Sequence, residues 1–345
     1  MNNRMIIPLA MLAGTCMANE PSAVCANEPD DRLRLACYDR SVGRPLDVSA
    51  ASPDSARAVD SGLVTKSDNR RKASAMQLAW ELGDDDKRRD FVIRTYHPNF
   101  LLPLHYTSNI NRTPSSPTQS SGSLNPNYRH TEAKLQISLR AKAVEDLLLP
   151  GADLWVAYTQ RSQWQIWDTK DSSPFRSSDY QPEMIYVVPV PEKLGALPFG
   201  WNLRMVQLGA VHQSNGQSDP LSRSWNRVYL GLGLEHGDFS LMLRANQRLR
   251  VKELDDNPDL VDYIGRNEVA MAWAPGLSTF GLNWRTNLSS VSRGSLQFDW
   301  TYPVFASQPT GLRWYMQLFT GYGETLLDYN HRQTSIGVGL ALFQF

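Results

Sequence analysis

One stretch of this chain carries three side chains whose types and spacing fit a nucleophilic hydrolase. His212 and Ser214 are two residues apart, so in a β-strand both side chains point to the same face, about 7 Å apart along the backbone. If the chain turns tightly around Asp219, an antiparallel register places His212 opposite Asn226 and Ser214 opposite Ser224. A hydroxyl, an imidazole and an amide on one surface supply a nucleophile, a general base and a group that holds the base in one tautomer.

The third member of this set is an amide, which limits the chemistry. Asn226 is neutral, so its side-chain oxygen can orient the imidazole but cannot stabilise an imidazolium as a carboxylate does. An amide that selects the wrong tautomer costs about 10⁴ in rate, so its oxygen must face the imidazole N–H. Such a site gains from a positive charge near the developing oxyanion. Asp219, Ser222 and the backbone carbonyls around Gln217 and Ser218 offer oxygen ligands in the same turn, and hard oxygen ligands suit Ca²⁺.

The run of residues 212–227 resembles the signature of the bacterial outer membrane phospholipase A family. Further segments resemble other parts of that family and follow in its order: residues 158–160 with Trp164, 172–176, 255–259 and 321–330. The matches extend from about residue 90 to the C-terminus, roughly three quarters of the chain. The resemblance therefore rests on several motifs that follow one another in the same order as in the family.

The resemblance implies a calcium-dependent enzyme that hydrolyses phospholipid acyl esters in the outer membrane of a Gram-negative bacterium. The implied activity is that of a phospholipase A1 and A2, and also of a lysophospholipase, with membrane phospholipids as substrates. Ser214 would be the nucleophile that carries the acyl-enzyme, His212 the general base and Asn226 the orienting group. Gln160 resembles a glutamine in the family's dimer interface, so the active form would be a homodimer.

The resemblance also implies the groups around this triad. The backbone N–H of Gly216 would bind the oxyanion together with calcium-bound water. The calcium ligands carried over are the carbonyl of Gln217, the hydroxyl of Ser222 and the carbonyl of Ser172 from a second subunit. Gln217 stands where the family more usually has arginine, but only its carbonyl is needed. Asp219, the carboxylate in the turn, is assigned to a weaker cation site.

Composition and patterning favour an all-β membrane protein. The chain has 345 residues and a formal net charge of +0, so no nucleic-acid partner is indicated. Mean hydropathy is −0.40, and beyond the N-terminus no apolar run is long enough for a transmembrane helix. Short alternating segments such as residues 135–141 recur from Phe91 onwards. At about 10 residues per strand plus turns, residues 91–345 predict a transmembrane antiparallel β-barrel of about 12 strands, an even count that comes partly from the resemblance.

The N-terminal part has a different composition. Residues 1–18 combine a basic start, a short apolar core and small residues, which predicts a secretory signal peptide; lipid attachment at Cys16 is the weaker alternative. Residues 19–90 form an N-terminal extension with a linker of low apolar content at 46–72. If Cys16 is removed, Cys25 and Cys37 form an even pair, which favours a disulfide in an oxidising compartment over two free thiols.

Within the extension, residues 73–82 have helical spacing of apolar side chains. Ala75, Met76, Ala79 and Leu82 lie on one face, and Gly83 follows as a stop signal. We expect a solvated, marginal helix with no special role. The alternatives are a helix at the membrane surface and a helix that plugs one end of the barrel.

The outward position predicted for the triad separates the candidate functions. His212, Ser214 and Asn226 would break the apolar outer face of a barrel, and polar groups at membrane depth tend to be functional. A phospholipase is therefore the leading interpretation. The alternatives are a passive outer membrane barrel or porin with a dead site, and a related lipid deacylase or acyltransferase that uses the same acyl-enzyme. A closed, salt-bridged interior would favour the enzyme over the porin.

Overall fold

The structure, a computed structural model, describes residues 34, 37, 38, 74–88, 90–249, 255–288, 290 and 292–342. The chain divides into two compact units, Met1–Asp68 and Asn69–Phe345. In the first unit Cys37 is disulfide-bonded. Cys25, its predicted partner, and the predicted signal peptide lie outside the described residues. The Cys25–Cys37 pairing therefore stays a prediction.

The second unit is built from long antiparallel strands joined by turns. The strands are β1 (Arg94–Thr95), β2 (Asn99–Thr107), β3 (Thr131–Val144), β4 (Asp153–Trp164), β5 (Phe175–Pro189), β6 (Asn202–Ser214), β7 (Ser224–His236), β8 (Phe239–Leu249), β9 (Asn267–Trp273), β10 (Thr279–Thr286), β11 (Ser295–Pro303), β12 (Leu312–Gly321) and β13 (Gln333–Leu342). The helices are α1 (Ala75–Trp80), α2 (Glu192–Gly195) and α3 (Leu260–Ile264), with 3-10 turns at Asp84–Asp86 and Pro198–Gly200. Among the described residues, none of the helices has the length and apolar character needed to cross a membrane.

Strands β2 to β13 close on themselves. Each pairs with its neighbours in chain order, and β13 pairs back onto β2. In the part of the chain that the structure describes, this gives a closed antiparallel barrel of twelve strands, which confirms the predicted fold. The extra strand β1 pairs with β3, as β2 does, but further along that strand. Arg94 of β1 pairs with Arg140, whereas Phe100 of β2 pairs with Gln136.

Side chains alternate between the two faces of the barrel wall, with polar side chains facing the interior and apolar side chains facing outward. This is the reverse of the arrangement in a water-soluble protein. On β3, Glu132 and Lys134 point inward and are fully buried, whereas Ile137 and Leu139 point outward and are exposed. The same alternation along the other strands gives the barrel an apolar outer band and a polar interior. This is the pattern expected of strands that cross a lipid bilayer.

The expectation of a solvated α1 is wrong, because the helix packs inside the barrel. Met76 and Trp80 are buried against Trp155, Ile185 and Met205, which are inward residues of β4, β5 and β6. The first-turn N–H of Met76 donates to Glu235 Oε1 at 2.7 Å. The helix therefore closes the barrel end at which β6 begins. Its apolar face is stabilised by strands far away in sequence, so periodicity alone could not reveal its burial.

Ion pairs occupy the opposite half of the interior. The Arg176 guanidinium lies 2.9 Å from Glu132 and 3.0 Å from Asp328, and Lys134 Nζ lies 2.7 Å from Glu324 Oε1. All five side chains are buried. Together with α1 they give the closed, salt-bridged interior that favours an enzyme over an open pore.

Candidate active site

The β6–β7 hairpin has the register that the sequence predicts. His212 pairs with Asn226, and Ser214 pairs with Ser224. On the inward side of the same hairpin, Trp225 packs in an apolar cluster with Leu260 of α3. Because neighbouring residues of a strand face opposite sides, burial of Trp225 turns Asn226 outward.

His212 and Asn226 are joined by a side-chain hydrogen bond. His212 Nδ1 lies 2.8 Å from Asn226 Oδ1. The amide oxygen can only accept, so Nδ1 carries a proton, and in the neutral ring Nε2 then has a free lone pair. This is the tautomer that a general base needs, and the amide therefore meets the requirement stated from the sequence.

Ser214 lies on the same outward face as His212, two residues further along β6. Its cross-strand neighbour on the other side is Tyr180 of β5, which sequence reasoning did not single out. Among the described residues, the Ser214 hydroxyl makes no hydrogen bond, including to His212. Catalytic hydrogen bonds are often long or unformed without substrate, so this spacing leaves Ser214 as a candidate nucleophile next to a base of the right tautomer.

The loop after β6 is shaped by Asn215 and Gly216. The buried Asn215 side chain donates to the carbonyl of Leu221 at 2.8 Å and accepts from the N–H of Arg223 at 2.9 Å. Gly216 has a φ of +62°, and a Cβ there would lie 3.1 Å from the Tyr180 ring, so glycine suits this position on both counts. Within the described chain no acceptor is found for the Gly216 N–H, which leaves that donor available beside Ser214.

Two of the predicted cation ligands contact polar side chains from other loops. Ser222 Oγ donates to Asp256 Oδ2 at 2.6 Å. Gln119 Nε2 donates to both Asp219 Oδ1 and Asp256 Oδ1 at 3.0 Å. Hydroxyl and carboxylate oxygens thus converge from two loops, with the Gln119 amide of a third loop donating to both carboxylates, and the oxygens are hard ligands that suit Ca²⁺. No cluster of three or more His, Cys, Asp or Glu side chains able to hold a metal occurs in the described ranges, so any ion here would depend on the hydroxyl and backbone carbonyls as well.

Sequence reasoning missed Asp256, Gln119 and Asn257 as parts of this region. Asn257 Oδ1 accepts from the N–H of Ser224 at 3.0 Å, which ties the loop after β8 to the start of β7. The acidic run at residues 255–259 was a usable signal for the carboxylate. Gln119 carries no such signal, because it lies in a polar loop whose fold over the site depends on contacts such as Ser116 Oγ to the Asp256 carbonyl at 2.5 Å.

Ser172 and Gln160 lie apart from these loops. Ser172 is in the β4–β5 loop with a φ of +60°, and in the structure as described it contacts neither Gln217 nor Ser222. Gln160 is on β4, where it bonds to Tyr158 and Ser162 of the same strand at 3.3 Å. The structure thus does not bring Ser172 to the other predicted calcium ligands within one chain.

Fold and site together define a class of protein, a twelve-stranded membrane β-barrel with a serine, histidine and asparagine set on its outer face. A family profile described as phospholipase A1 matches residues 76–342. The chain therefore belongs to the phospholipase A1 family, a family of ester hydrolases, and is an enzyme of the outer membrane.

Individual relatives agree with this assignment. A Neisseria meningitidis relative is 36% identical over 377 residues, covering 98% of this chain and 95% of the relative. Phospholipase A1 of Salmonella typhimurium is 36% identical over 256 residues, covering 73% of this chain and 82% of that enzyme. Among solved structures, the calcium-bound dimer of Salmonella typhi outer membrane phospholipase has a TM-score of 0.66 at 32% identity, covering 77% of this chain and 96% of that chain. Outer membrane phospholipase A from Escherichia coli has a TM-score of 0.64 at 31% identity, covering 74% and 100%.

Proposed function

We propose that this protein hydrolyses the acyl esters of membrane phospholipids, as a calcium-dependent phospholipase A1 and A2 with lysophospholipase activity. The observation that carries the proposal is the hydrogen bond of 2.8 Å between His212 Nδ1 and Asn226 Oδ1 on the outward face of the barrel. Polar side chains on a lipid-facing wall are costly and tend to be functional. An imidazole held there in the tautomer of a general base can act on a substrate that arrives from the bilayer.

In the proposed reaction, Ser214 Oγ attacks the ester carbonyl carbon while His212 Nε2 takes the hydroxyl proton. The bond between the carbonyl carbon and the glycerol oxygen then breaks, and His212 returns the proton to that oxygen. Water repeats the sequence on the acyl-enzyme: its proton goes to His212, its oxygen joins the acyl carbon, and Ser214 leaves with the proton. Asn226 holds the imidazole in place throughout.

The oxyanion of each step needs donors already in position. The Gly216 N–H, which has no acceptor among the described residues, lies two residues after Ser214 and is the donor we assign. A preorganised donor of this kind is worth about 3–4 kcal/mol in the transition state.

Ca²⁺ fits the oxygen groups beside this donor. The Gln217 carbonyl, the Ser222 hydroxyl and the carbonyl of Ser172 of the partner subunit would hold it, and Asp219 with Asp256 would add charge nearby. When bound, the ion would supply positive charge next to the developing oxyanion. The support within one chain is the approach of Ser222 Oγ to Asp256 Oδ2 at 2.6 Å.

A ligand from each of two chains makes the calcium site depend on association, so we propose that the active form is a homodimer. The amide of Gln160 lies on the outward side of β4, and within the described residues its hydrogen bonds are to Tyr158 and Ser162 of the same strand. In lipid, such an amide gains by pairing with an amide of a second copy. The dimer of the Salmonella typhi relative is in keeping with this proposal.

The test is a lipase assay on the purified, detergent-solubilised protein with phospholipid, in Ca²⁺ and in chelator, beside Ser214→Ala. We expect calcium-dependent release of fatty acid and lysophospholipid that disappears in the folded variant. Substantial hydrolysis by Ser214→Ala would reject Ser214 as the nucleophile. Transfer of the acyl group to another alcohol in place of water would instead identify an acyltransferase.

A further inference from the structure

A polar cavity lies between two loops at the end of the barrel remote from α1. The loop after β2 and the loop before β13 enclose it, beside the seam where β13 pairs with β2. Its volume is about 560 Å³, within the range of about 300–1,000 Å³ typical of small-molecule sites. Seven of the eight residues that line it are polar, so it suits a polar ligand.

The cavity is at the outer end of the barrel. The loops at this end include residues 108–130 and 165–174, whereas the turns at the α1 end include residues 237–238 and 274–278. Outer membrane barrels have long extracellular loops and short periplasmic turns. The cavity therefore opens toward the outside of the cell.

Asn111 is the most buried polar residue of the lining. It is only 8% exposed, and its side-chain amide has no hydrogen-bond partner among the described residues. A buried amide without a partner is costly. A molecule inside the cavity would supply that partner, to an amide that can both donate and accept.

Further hydrogen-bonding groups line the same cavity. Within the described ranges, the amide of Asn109 and the hydroxyls of Thr113 and Ser115 make no hydrogen bond. Asn330 Nδ2 donates to the Ser115 carbonyl at 3.0 Å, which leaves Asn330 Oδ1 as an acceptor. Amides and hydroxyls together suit a ligand that donates and accepts at several points.

Hydrogen bonds fix the walls of the cavity. His331 Nε2 lies 3.1 Å from the Asn109 carbonyl oxygen, which joins the two loops. The Arg112 guanidinium donates to the carbonyls of Pro126 at 2.6 Å and Tyr128 at 3.2 Å. Because these contacts hold the loops in place, a ligand would bind with little cost in loop ordering.

The charge of the lining narrows the class of ligand. Of the described residues that line the cavity, only Arg112 and His331 can carry a charge, and both are basic. A cation is therefore disfavoured. A small inorganic anion would leave the amides of Asn109 and Asn111 unpaired and most of the volume unfilled. A neutral or acidic saccharide carries many hydroxyls, each of which can donate and accept.

We propose that this cavity is a saccharide-binding site, which takes a short neutral or acidic oligosaccharide at the outer end of the barrel. The site uses none of the proposed catalytic residues and does not depend on the proposed lipase function. A glycolipid of the membrane and a free saccharide present the same hydroxyl chemistry, so the experiment includes a probe for each source.

The experiment is titration calorimetry on the purified, detergent-solubilised protein. The probes are the oligosaccharide released from lipopolysaccharide by mild acid, and maltotriose. We expect binding by the wild-type protein, and an increase in Kd of about ten-fold or more in Asn111→Ala, because a site built to pair with a hydroxyl loses strongly when its amide is removed. Asn127→Ala is the matched control: Asn127 is an exposed asparagine of the same loop, outside the lining, and its removal should leave Kd unchanged.

The outcomes separate the two sources and test the site. Tighter binding of the released oligosaccharide assigns the site to a glycolipid of the membrane, and tighter binding of maltotriose assigns it to a free neutral saccharide. The proposal is overturned if neither probe binds to the wild-type protein, or if Asn111→Ala and Asn127→Ala bind equally well. If Asn111→Ala fails to fold, Thr113→Trp fills the cavity from an exposed position of its lining and must abolish binding.

Discussion

His212 Nδ1 lies 2.8 Å from Asn226 Oδ1, across a register pair of the β6–β7 hairpin. The backbone register alone thus brings the proposed base and its proposed orienting group together, without a contribution from the loops. The amide fixes the ring tautomer without adding a second charge at membrane depth, where an unpaired carboxylate is costly.

The first prediction concerns this bond. Asn226→Ala frees the imidazole ring, so we expect kcat to fall by about 10²- to 10⁴-fold, the usual contribution of a positioned base. Asn226→Asp keeps an oxygen acceptor at the same place and should retain far more activity. Both are measured by fatty acid release, with heat-modifiable gel migration as the control for folding. Equal losses in the two variants would show that orientation is not the role of Asn226.

The second prediction concerns the oxygen groups of the proposed calcium site. Asp256 accepts from Ser222 and Gln119, and Asp256→Asn removes a charge while keeping its size. We expect the calcium concentration for half-maximal activity to rise by about ten-fold, or about 1.4 kcal/mol. Asp262→Asn is the matched control, because Asp262 is exposed on α3. A calcium titration that coincides with wild type for Asp256→Asn would remove this residue from the site.

The third prediction concerns association. Gln160→Ala removes the outward amide of β4, and pairing of such amides in lipid is worth about 0.6–2 kcal/mol. Sedimentation equilibrium in detergent with Ca²⁺ should therefore show a modestly weaker dimer and an intact barrel. Gln247→Ala, an exposed outward glutamine on β8, should leave the dimer unchanged. The proposed interface would be abandoned if the two variants dimerise equally well.

The fourth prediction concerns the residue that follows α1. Burial raises the pKa of the Glu81 carboxyl, but Lys142, the N–H of Arg88 and Arg94 together outweigh it and hold the pKa below its ordinary value. A carboxyl with a lowered folded-state pKa contributes stability above its unfolded pKa of about 4.3 and loses it as the pH falls through the folded value. Acid should therefore loosen the α1 end of the barrel.

Glu81→Gln is the variant that checks this. It should lower the thermal midpoint at neutral pH, because Lys142, 2.8 Å from Glu81 and 3.3 Å from Asp153, loses the nearer of its two buried carboxylate partners. It should also flatten the fall in stability below the ordinary carboxyl range. Trp80 and Trp155 lie 5.7 Å apart, so tryptophan fluorescence reports on this end. A wild-type profile that is flat in acid would contradict the assignment.

The sequence was enough to predict the features that depend on residue spacing along the chain, such as the register of a hairpin and the number of strands. The pairing of His212 with Asn226 needed only an antiparallel turn at Asp219, since opposing residue numbers have a constant sum. The strand count followed from alternation and length, helped by the resemblance. Burial of Trp80 could not be predicted in this way, because its partner Trp155 is 75 positions away and its contact exists only once the barrel has closed. Gln119 was missed for the same reason.

The position of α1 has a consequence for the cell that carries this enzyme. The helix is tied by a short segment to β1, which is itself paired with β3, and Arg140 of β3 donates to the Ala79 carbonyl at 2.7 Å. Moving the helix out would therefore break this hydrogen bond and the packing of Met76 and Trp80 against the inner wall. If activity is controlled by association of two copies along their outer faces, as proposed, that control acts outside the barrel and leaves the packing of α1 in the interior of each copy unchanged.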